Sequence, residues 1–391
     1  MKKLLLIVIM FVIATFYIID DKNHLSNNKK EENSFSEVRA LYFSYIEFEE
    51  YIMNENDNGA KKNIDTIVSN MKSDKFNLLI LHVRPFSDSI YPSKIFPTSK
   101  YIGNVSFDVL EYFIDKCHSV GIDVHAWINP YRISHDSNFV IEKNHPAYSF
   151  LGTSNIEVLS SGVYYNPASN LVTSLIVSGV EEIIKNYDVD GIHFDDYFYP
   201  KGDIDKESYA LYKSSGGALS LKDYRLLNVR NMVSSVYSSI KKINKDIVFG
   251  ISPQGNIDNN YSSVYLDVKT ILSSSGYVDY IMPQIYFGFE NSSRPFKETL
   301  IEWNSLIKES SIKLIPALSL YKSGSSDKYA GSGSNEWINN SDIIKRQIID
   351  SRNVSNYSGF SIFRYEHFYN NSIQNNNMKE EIKNIRNLLN N

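Results

Sequence analysis

Eight short apolar runs recur along the chain, at 37–43, 76–84, 122–129, 189–195, 247–253, 278–286, 312–320 and 360–366. Their apolar residues alternate with other types or run on unbroken, as in strands buried on one or both faces. Between them, apolar residues return at three- and four-residue spacing, as at 107–120, 170–187 and 223–243, with a last such stretch at 378–389. That spacing is the period of a helix burying one side. Eight strand–helix alternations predict a (β/α)8 TIM barrel of the α/β class. Three polar connections, 133–164, 201–221 and 324–335, are too long for plain turns and follow the third, fourth and seventh strands. In such a barrel they crowd the C-terminal rim, where a substrate groove is expected.

The N-terminus departs from this pattern. Lys2 and Lys3 precede an apolar run at 4–19, which Asp20, Asp21 and Lys22 end. The run is shorter than the roughly 20 residues of a usual span. Residues 1–22 read as an export signal or a single membrane anchor, 23–36 as a polar tether, and 37–391 as the barrel. The expected location is extracellular or in the cell envelope, with membrane contact only through the N-terminal segment. A formal charge of −5 leaves no basic footprint, which argues against nucleic acid as a partner. Aromatic residues make up 13% of the chain, enough to furnish stacking faces for sugar rings, although by composition alone a Tyr-rich core and surface is the better account of them. The single cysteine, Cys117, falls in a helical pattern with Leu110, Phe113 and Ile114 and reads as core rather than nucleophile.

Alternation along each strand sorts side chains between the helices and the barrel interior. Ile192 and Phe194 belong outside, which turns His193 and Asp195 inward. Val124, Ala126 and Ile128 leave His125, Trp127 and Asn129 inside. Leu79, Leu81 and Val83 leave His82 and Arg84 inside. Phe249 and Ile251 leave Ser252 and Gln254, and Ile281, Pro283 and Ile285 leave Gln284 and Tyr286. Asp196, one step past Asp195, points away from it unless the strand has ended. In the eighth strand Arg364 and Glu366 share one face, Phe363 and Tyr365 the other. Barrel interiors are normally filled by branched apolar residues. Polar groups are costly to bury unpaired, so this convergence at the strand exits points to a site.

The segments that carry these residues resemble the glycosyl-hydrolase-like family 10, a group of exported bacterial barrel proteins. They are Leu81-His82-Val83-Arg84-Pro85-Phe86-Ser87-Asp88-Ser89-Ile90-Tyr91-Pro92-Ser93, His125-Ala126-Trp127-Ile128-Asn129-Pro130-Tyr131-Arg132, and Asn166-Pro167. Then come Asp190-Gly191-Ile192-His193-Phe194-Asp195-Asp196-Tyr197-Phe198-Tyr199-Pro200, Gly250-Ile251-Ser252-Pro253-Gln254-Gly255 and Asp279-Tyr280-Ile281-Met282-Pro283-Gln284-Ile285-Tyr286. The resemblance implies a TIM barrel acting on a bacterial polysaccharide, with some relatives linked to peptidoglycan glycan strands. Two departures stand out: Ala40-Leu41-Tyr42 replaces a Gly-Trp pair near the first strand's Arg, and Phe287 replaces a Trp after Tyr286. A more distant likeness joins Asp190-Gly191-Ile192-His193-Phe194-Asp195 to the strand-four signature of chitinase-like barrels. There His193 stands for the middle Asp and Tyr197 for the catalytic Glu. Amylase-type barrels, with an attacking Asp on strand four, are similar to the same degree.

Glycoside cleavage generally uses one carboxylic acid to protonate the leaving oxygen and a second carboxylate to attack or to activate water. The main expectation is a glycoside hydrolase with Asp195 as nucleophile or charge stabiliser, Asp196 as acid or substrate contact, and Glu366 or Glu290 as partner. Arg84, His125, Asn129, His193, Gln254, Gln284 and Tyr286 would hold sugar groups, and Trp127 would supply a stacking face. This reading needs no metal and no cofactor. Three alternatives remain open at this point. A lytic transglycosylase needs a single acid, because the muramyl 6-hydroxyl replaces water. A metal-dependent deacetylase or amidohydrolase would ring a zinc ion with His82, His125, His193 and Asp195. A non-catalytic protein would bind the glycan without cutting it.

Overall fold

Each expected strand exists because its two faces meet different apolar surroundings. A computed structural model describes residues 36–390, so the apolar run at 4–19 and almost all of the tether lie outside the described residues. The barrel strands are β1 (Val38–Phe43), β2 (Leu78–Arg84), β3 (Asp123–Ile128), β4 (Gly191–Phe194), β5 (Val248–Ile251) and β6 (Tyr280–Ile281). After them come β7, in two pieces (Lys313–Leu314 and Ala317–Ser319), and β8 (Gly359–Phe363). All pair in parallel in chain order, and β8 returns to β1. The first piece of β7 pairs with β6 and the second with β8. The break falls at Pro316, which has no N–H to give to a neighbour. Around it Ile315 N–H donates to Ile281 O (2.9 Å), and Pro316 O accepts from Ser361 N–H (3.0 Å). The ring therefore closes through β7, giving the (β/α)8 barrel.

The alternation holds. Leu41, Phe43, Leu79, Leu81, Val124, Ala126, Ile192, Phe194, Phe249, Ile251 and Ile362 join the large core shared with the helices. Ala40, Tyr42, Leu78, Ile80, Trp127, Tyr280, Met282, Ile315 and Ala317 form a separate, smaller cluster inside the ring. Helices Asp57–Ser73, Val109–Ser119, Asn170–Asn186 and Leu221–Ile243 follow β1 to β4. Each starts at a capping side chain (Asn56, Asp108, Ser169, Ser220) that accepts a first-turn N–H. At the N-terminal ends of the strands, carboxylates tie neighbours together: Asp190 accepts from Val124 N–H (2.7 Å) and Asp279 from Phe249 N–H (2.7 Å).

Several boundaries differ from expectation, each for a local reason. β6 is paired as a strand only at Tyr280–Ile281; past Pro283 the chain continues through single bridges from Gln284 to Gln254 and Ala317. β8 stops at Phe363, and Tyr365–Tyr369 turns into a helix, so Glu366 is not on a strand. β4 stops at Phe194. The long connection after β3 holds an antiparallel sheet of Arg132–Ser134, Gly162–Tyr165 and Ile156–Leu159, which builds one wall of the rim. Helix Lys206–Ser214 occupies the connection after β4.

Two glycines leave room for interior rings. A Cβ at Gly250 would collide with the ring of Tyr280, and one at Gly191 would lie 2.6 Å from the ring of His125. Gly250→Ala should therefore lower unfolding stability by about 1–3 kcal/mol, the usual cost of overpacking. Urea denaturation measures it, and an unchanged midpoint would mean that the interior is not packed as described.

Candidate active site

Deep in the barrel, polar side chains are paired with one another. The Tyr280 hydroxyl lies 2.9 Å from His125 Nδ1 and 2.8 Å from His193 Nδ1, and His193 Nε2 lies 3.1 Å from the Tyr42 hydroxyl. Burial holds both histidines below their usual pKa, His125 down to about 4, so they are neutral. The Tyr42 oxygen also lies 3.0 Å from Met282 Sδ. Each hydroxyl can give one proton and accept one, and a neutral imidazole gives at one ring nitrogen and accepts at the other, so the chain satisfies itself with its protons running in either direction.

Above this chain opens a cavity of about 230 Å³ at the C-terminal ends of the strands. Its walls carry Tyr42 from β1, His82 from β2 and Trp127 from β3. Residues beyond the strand ends supply most of the rest: Ser44, Tyr45 and Ile46 after β1, Arg132 from the rim sheet, Asp195, Asp196 and Tyr197 after β4, and Gln284 and Tyr286 after β6. Tyr321 and Phe363 complete it. Because pairing of β4 ends at Phe194, the alternation that would separate Asp195 from Asp196 lapses, and both line the cavity. Asp195 Oδ1 accepts from Tyr197 N–H (3.1 Å), and Asp196 Oδ1 accepts from Gln284 Nε2 (3.2 Å).

The two carboxyl groups titrate together. Burial, then the charge of Asp196, pushes Asp195 up to about 8; Arg132, the Tyr197 N–H and the Trp127 indole act against that rise. The indole Nε1 makes no hydrogen bond of full geometry within the protein, yet it is near enough to favour the carboxylate. Burial raises Asp196 as well, opposed first by the Gln284 amide, then by the Asp196 backbone N–H, the Gln254 amide and Arg132. The guanidinium of Arg132 is held between two rings, 4.5 Å from the centroid of Phe86 and 4.3 Å from that of Tyr197. His82 stacks on Trp127, with centroids 3.6 Å apart and planes at 9°. Burial, then Arg132, keeps it neutral, and neither ring nitrogen has a hydrogen-bond partner in the protein.

The expected residues divide into three groups. Asp195, Asp196, Trp127, Gln284 and Tyr286 meet in the cavity, with Gln254 beside Asp196. His125 and His193 lie one layer beneath, occupied by Tyr280 and Tyr42. Asn129 is buried at the edge, donating to Pro85 O (3.2 Å). The rest are elsewhere. A register shift between His82 and Arg84 turns Arg84 out of the barrel. Its guanidinium lies 4.2 Å from the Phe96 ring, in the space a Cβ on Gly179 would need. Glu366 is bound to Arg364 (2.6 Å) in a cluster with Glu47, which Arg364 also holds (2.7 Å). Glu290 is exposed, its N–H given to Glu336 (2.9 Å). Neither glutamate lines the cavity. The four proposed zinc ligands do not assemble: among the described residues no three His, Cys, Asp or Glu side chains form a metal-holding group. Arg132, Tyr42 and Tyr197 join the site without a signal in the strand alternation, except that Arg132 is a cation placed directly after β3.

A closed parallel barrel with carboxylates, amides and ring faces gathered at its C-terminal mouth is a glycosidase-type TIM barrel. A family model described as glycosyl hydrolase-like 10 matches residues 37–332, and the chain belongs to that family. Glycosyl hydrolase YngK of Bacillus subtilis is 30% identical over 272 residues, covering 63% of this chain and 53% of the relative, so the match spans about half that protein's length. Glycosyl hydrolase DigH of Escherichia coli K12 is 29% identical over 325 residues, covering 74% of this chain and 72% of the relative. Among solved structures, the glycoside hydrolase domain of PgaB (BpsB) from Bordetella bronchiseptica superposes with a TM-score of 0.57 at 13% identity. That superposition covers 84% of this chain and 94% of the domain, a likeness of fold.

The raised pKa of Asp195 has a stability consequence. Its proton is bound more tightly in the folded than in the unfolded protein, so its contribution is full below pH about 4, its unfolded value, and fades as pH rises through about 8. Asp195→Asn, compared with the parent by thermal melting, should gain in Tm as pH rises from 5 to 8.5. A difference in Tm that does not change with pH would show that the carboxyl is not held protonated.

Proposed function

We propose that this chain is an exported glycoside hydrolase that cuts peptidoglycan glycan strands, with Asp195 as its general acid. The observation that carries this reading is the buried Asp195–Asp196 pair at the end of β4. Two carboxyls whose environments differ divide the roles of acid and base between them. Asp195, with fewer compensating donors, keeps the shared proton near neutral pH; Asp196, held by Gln284 and Gln254, is the ionised partner. Asp195 gives its proton to the glycosidic oxygen as the C–O bond breaks. Asp196 then faces the positive charge that develops on the sugar ring, and a water oxygen forms the new bond to the anomeric carbon, giving up its proton to leave a reducing end. Trp127 and Tyr286 offer ring faces, while His82 and Tyr42 supply polar groups. Membership of a glycosyl hydrolase-like family and relatives named glycosyl hydrolases support the reaction class. The lysine-led apolar run at 4–19 supports export, which would bring the enzyme to wall polymers.

One observation favours a second reading of the attacking group. Among the described residues lining the cavity, the carboxylates are Asp195 and Asp196, adjacent on one strand end. A base activating water from the opposite face of the sugar, at a carboxyl separation of about 6.5–9.5 Å, has no candidate there. This suits a nucleophile carried by the substrate: a 2-acetamido oxygen, leading to hydrolysis, or a muramyl 6-hydroxyl, leading to a lytic transglycosylase.

Digestion of purified sacculi and of peptide-free glycan strands, with products resolved by mass spectrometry, tests both readings. Reducing ends are the expected products, and anhydro-muramyl ends would assign transglycosylation. Asp195→Asn should cut turnover by about 10²–10⁴-fold, the usual share of a general acid. Full activity in that variant would remove Asp195 from the mechanism, and binding without any product would leave a glycan-binding protein.

A further inference from the structure

Beside the cleavage pocket lies a larger cavity, of about 570 Å³, between the connections after β2 and β3. This is within the range of ligand sites, about 300–1,000 Å³. The two cavities share a wall. Tyr45 lines the cleavage pocket, and its ring lies 5.0 Å from Phe86 and 5.1 Å from Tyr101, which line the larger one. Arg132, in the first cavity, also rests on the Phe86 ring, 4.5 Å from its centroid.

One residue lining the larger cavity, His145, carries an unpaired buried donor. His145 is 5% exposed, and its Nδ1 accepts the Ala147 N–H (3.1 Å). Burial lowers its pKa to about 4, so the ring is neutral and its proton sits on Nε2. That Nε2–H has no partner in the protein. A buried donor without an acceptor is costly, and a ligand oxygen would relieve it. Phe139 packs beside His145, its ring 6.0 Å from the imidazole at 68°, and the residue stays 41% exposed, which leaves apolar surface free for stacking. The charges here are mixed and lean negative, with Asp88, Asp136 and Glu142 against Lys100. That balance disfavours phosphate-rich polymers and acidic stem peptides, and it suits a neutral chain rich in hydroxyl and acetamido groups.

We propose that this cavity is a second glycan-binding subsite, which takes the sugars of the strand that continue beyond the bond cut at Asp195. The proposal rests on the glycosidase reading and deepens it: the enzyme grips an internal stretch of the polymer and prefers long strands to short fragments.

The test uses peptide-free peptidoglycan glycan strands of graded length and two variants at accessible positions. Thr98→Trp fills the cavity from its exposed edge, and Phe139→Ala removes the stacking face. Melting curves check that both fold. For the parent, kcat/KM on long strands should exceed that on the shortest cleaved fragment by about tenfold, the equivalent of one or two modest contacts. In either variant that ratio should fall toward one. A ratio that survives Thr98→Trp, or no length preference in the parent, overturns the subsite. So does a length preference that appears only when stem peptides are attached. Binding of the same strands to Asp195→Asn separates the two claims. Length-dependent binding lost in the Thr98→Trp, Asp195→Asn double variant, with no cleavage by the parent, upholds the subsite and refutes the glycosidase reading. Absence of both binding and cleavage refutes both.

Discussion

Strand β4 is held on both sides only as far as Phe194, where its last carbonyl accepts the Ser252 N–H at 2.7 Å. Had the pairing gone one residue further, the pleat would have sent Asp195 inward and Asp196 toward the helices. The ladder stops instead, and both carboxyls turn into the same pocket. Two acids removed from water together cannot both ionise cheaply. The shared proton, its bias toward Asp195 and the chemistry proposed for it all follow from where this one strand ends.

The surrounding architecture manages that cost in layers. Beneath the pocket, His125, Tyr280, His193 and Tyr42 satisfy one another in a continuous hydrogen-bonded chain and make a polar floor. At the level of the pocket the balance changes. Both ring nitrogens of His82, the Trp127 Nε1 and the Ser252 hydroxyl have no hydrogen-bond partner in the protein. Paired polar groups stiffen a barrel, whereas unpaired ones at its mouth are what a hydroxyl-rich ligand can satisfy. Arg132, clamped between Phe86 and Tyr197, lowers the cost of the carboxylate pair without a direct ion pair. It lines the cleavage pocket and rests on Phe86, which lines the larger neighbour, so one residue tunes the acids and packs against the shared wall.

Much of this was legible in the chain. The strand count, the outward positions Ile192, Phe194, Val124 and Leu79, and the inward turn of Trp127 and Gln284 follow from period-two alternation. That alternation is local and survives folding wherever the ladder is unbroken. It fails at the ends of ladders. Alternation puts Arg84 inward, but a bulge beside His82 reverses it. It puts Glu366 on a strand face, but β8 gives way to a helix, and Arg364 claims the carboxylate. It separates Asp196 from Asp195 only if the strand continues, and the strand ends at Phe194.

The sequence by itself determined the barrel, the side of each strand that meets the helices, and the cluster of polar residues at the strand exits, because hydrophobic periodicity encodes all three. Tertiary structure alone decided which of those polar residues share a cavity. That choice turns on bulges, on the last hydrogen bond of each ladder and on partners distant in the chain, such as Tyr280 for His125 and Gln284 for Asp196. Such pairings are made by ring closure and burial, which no local pattern records.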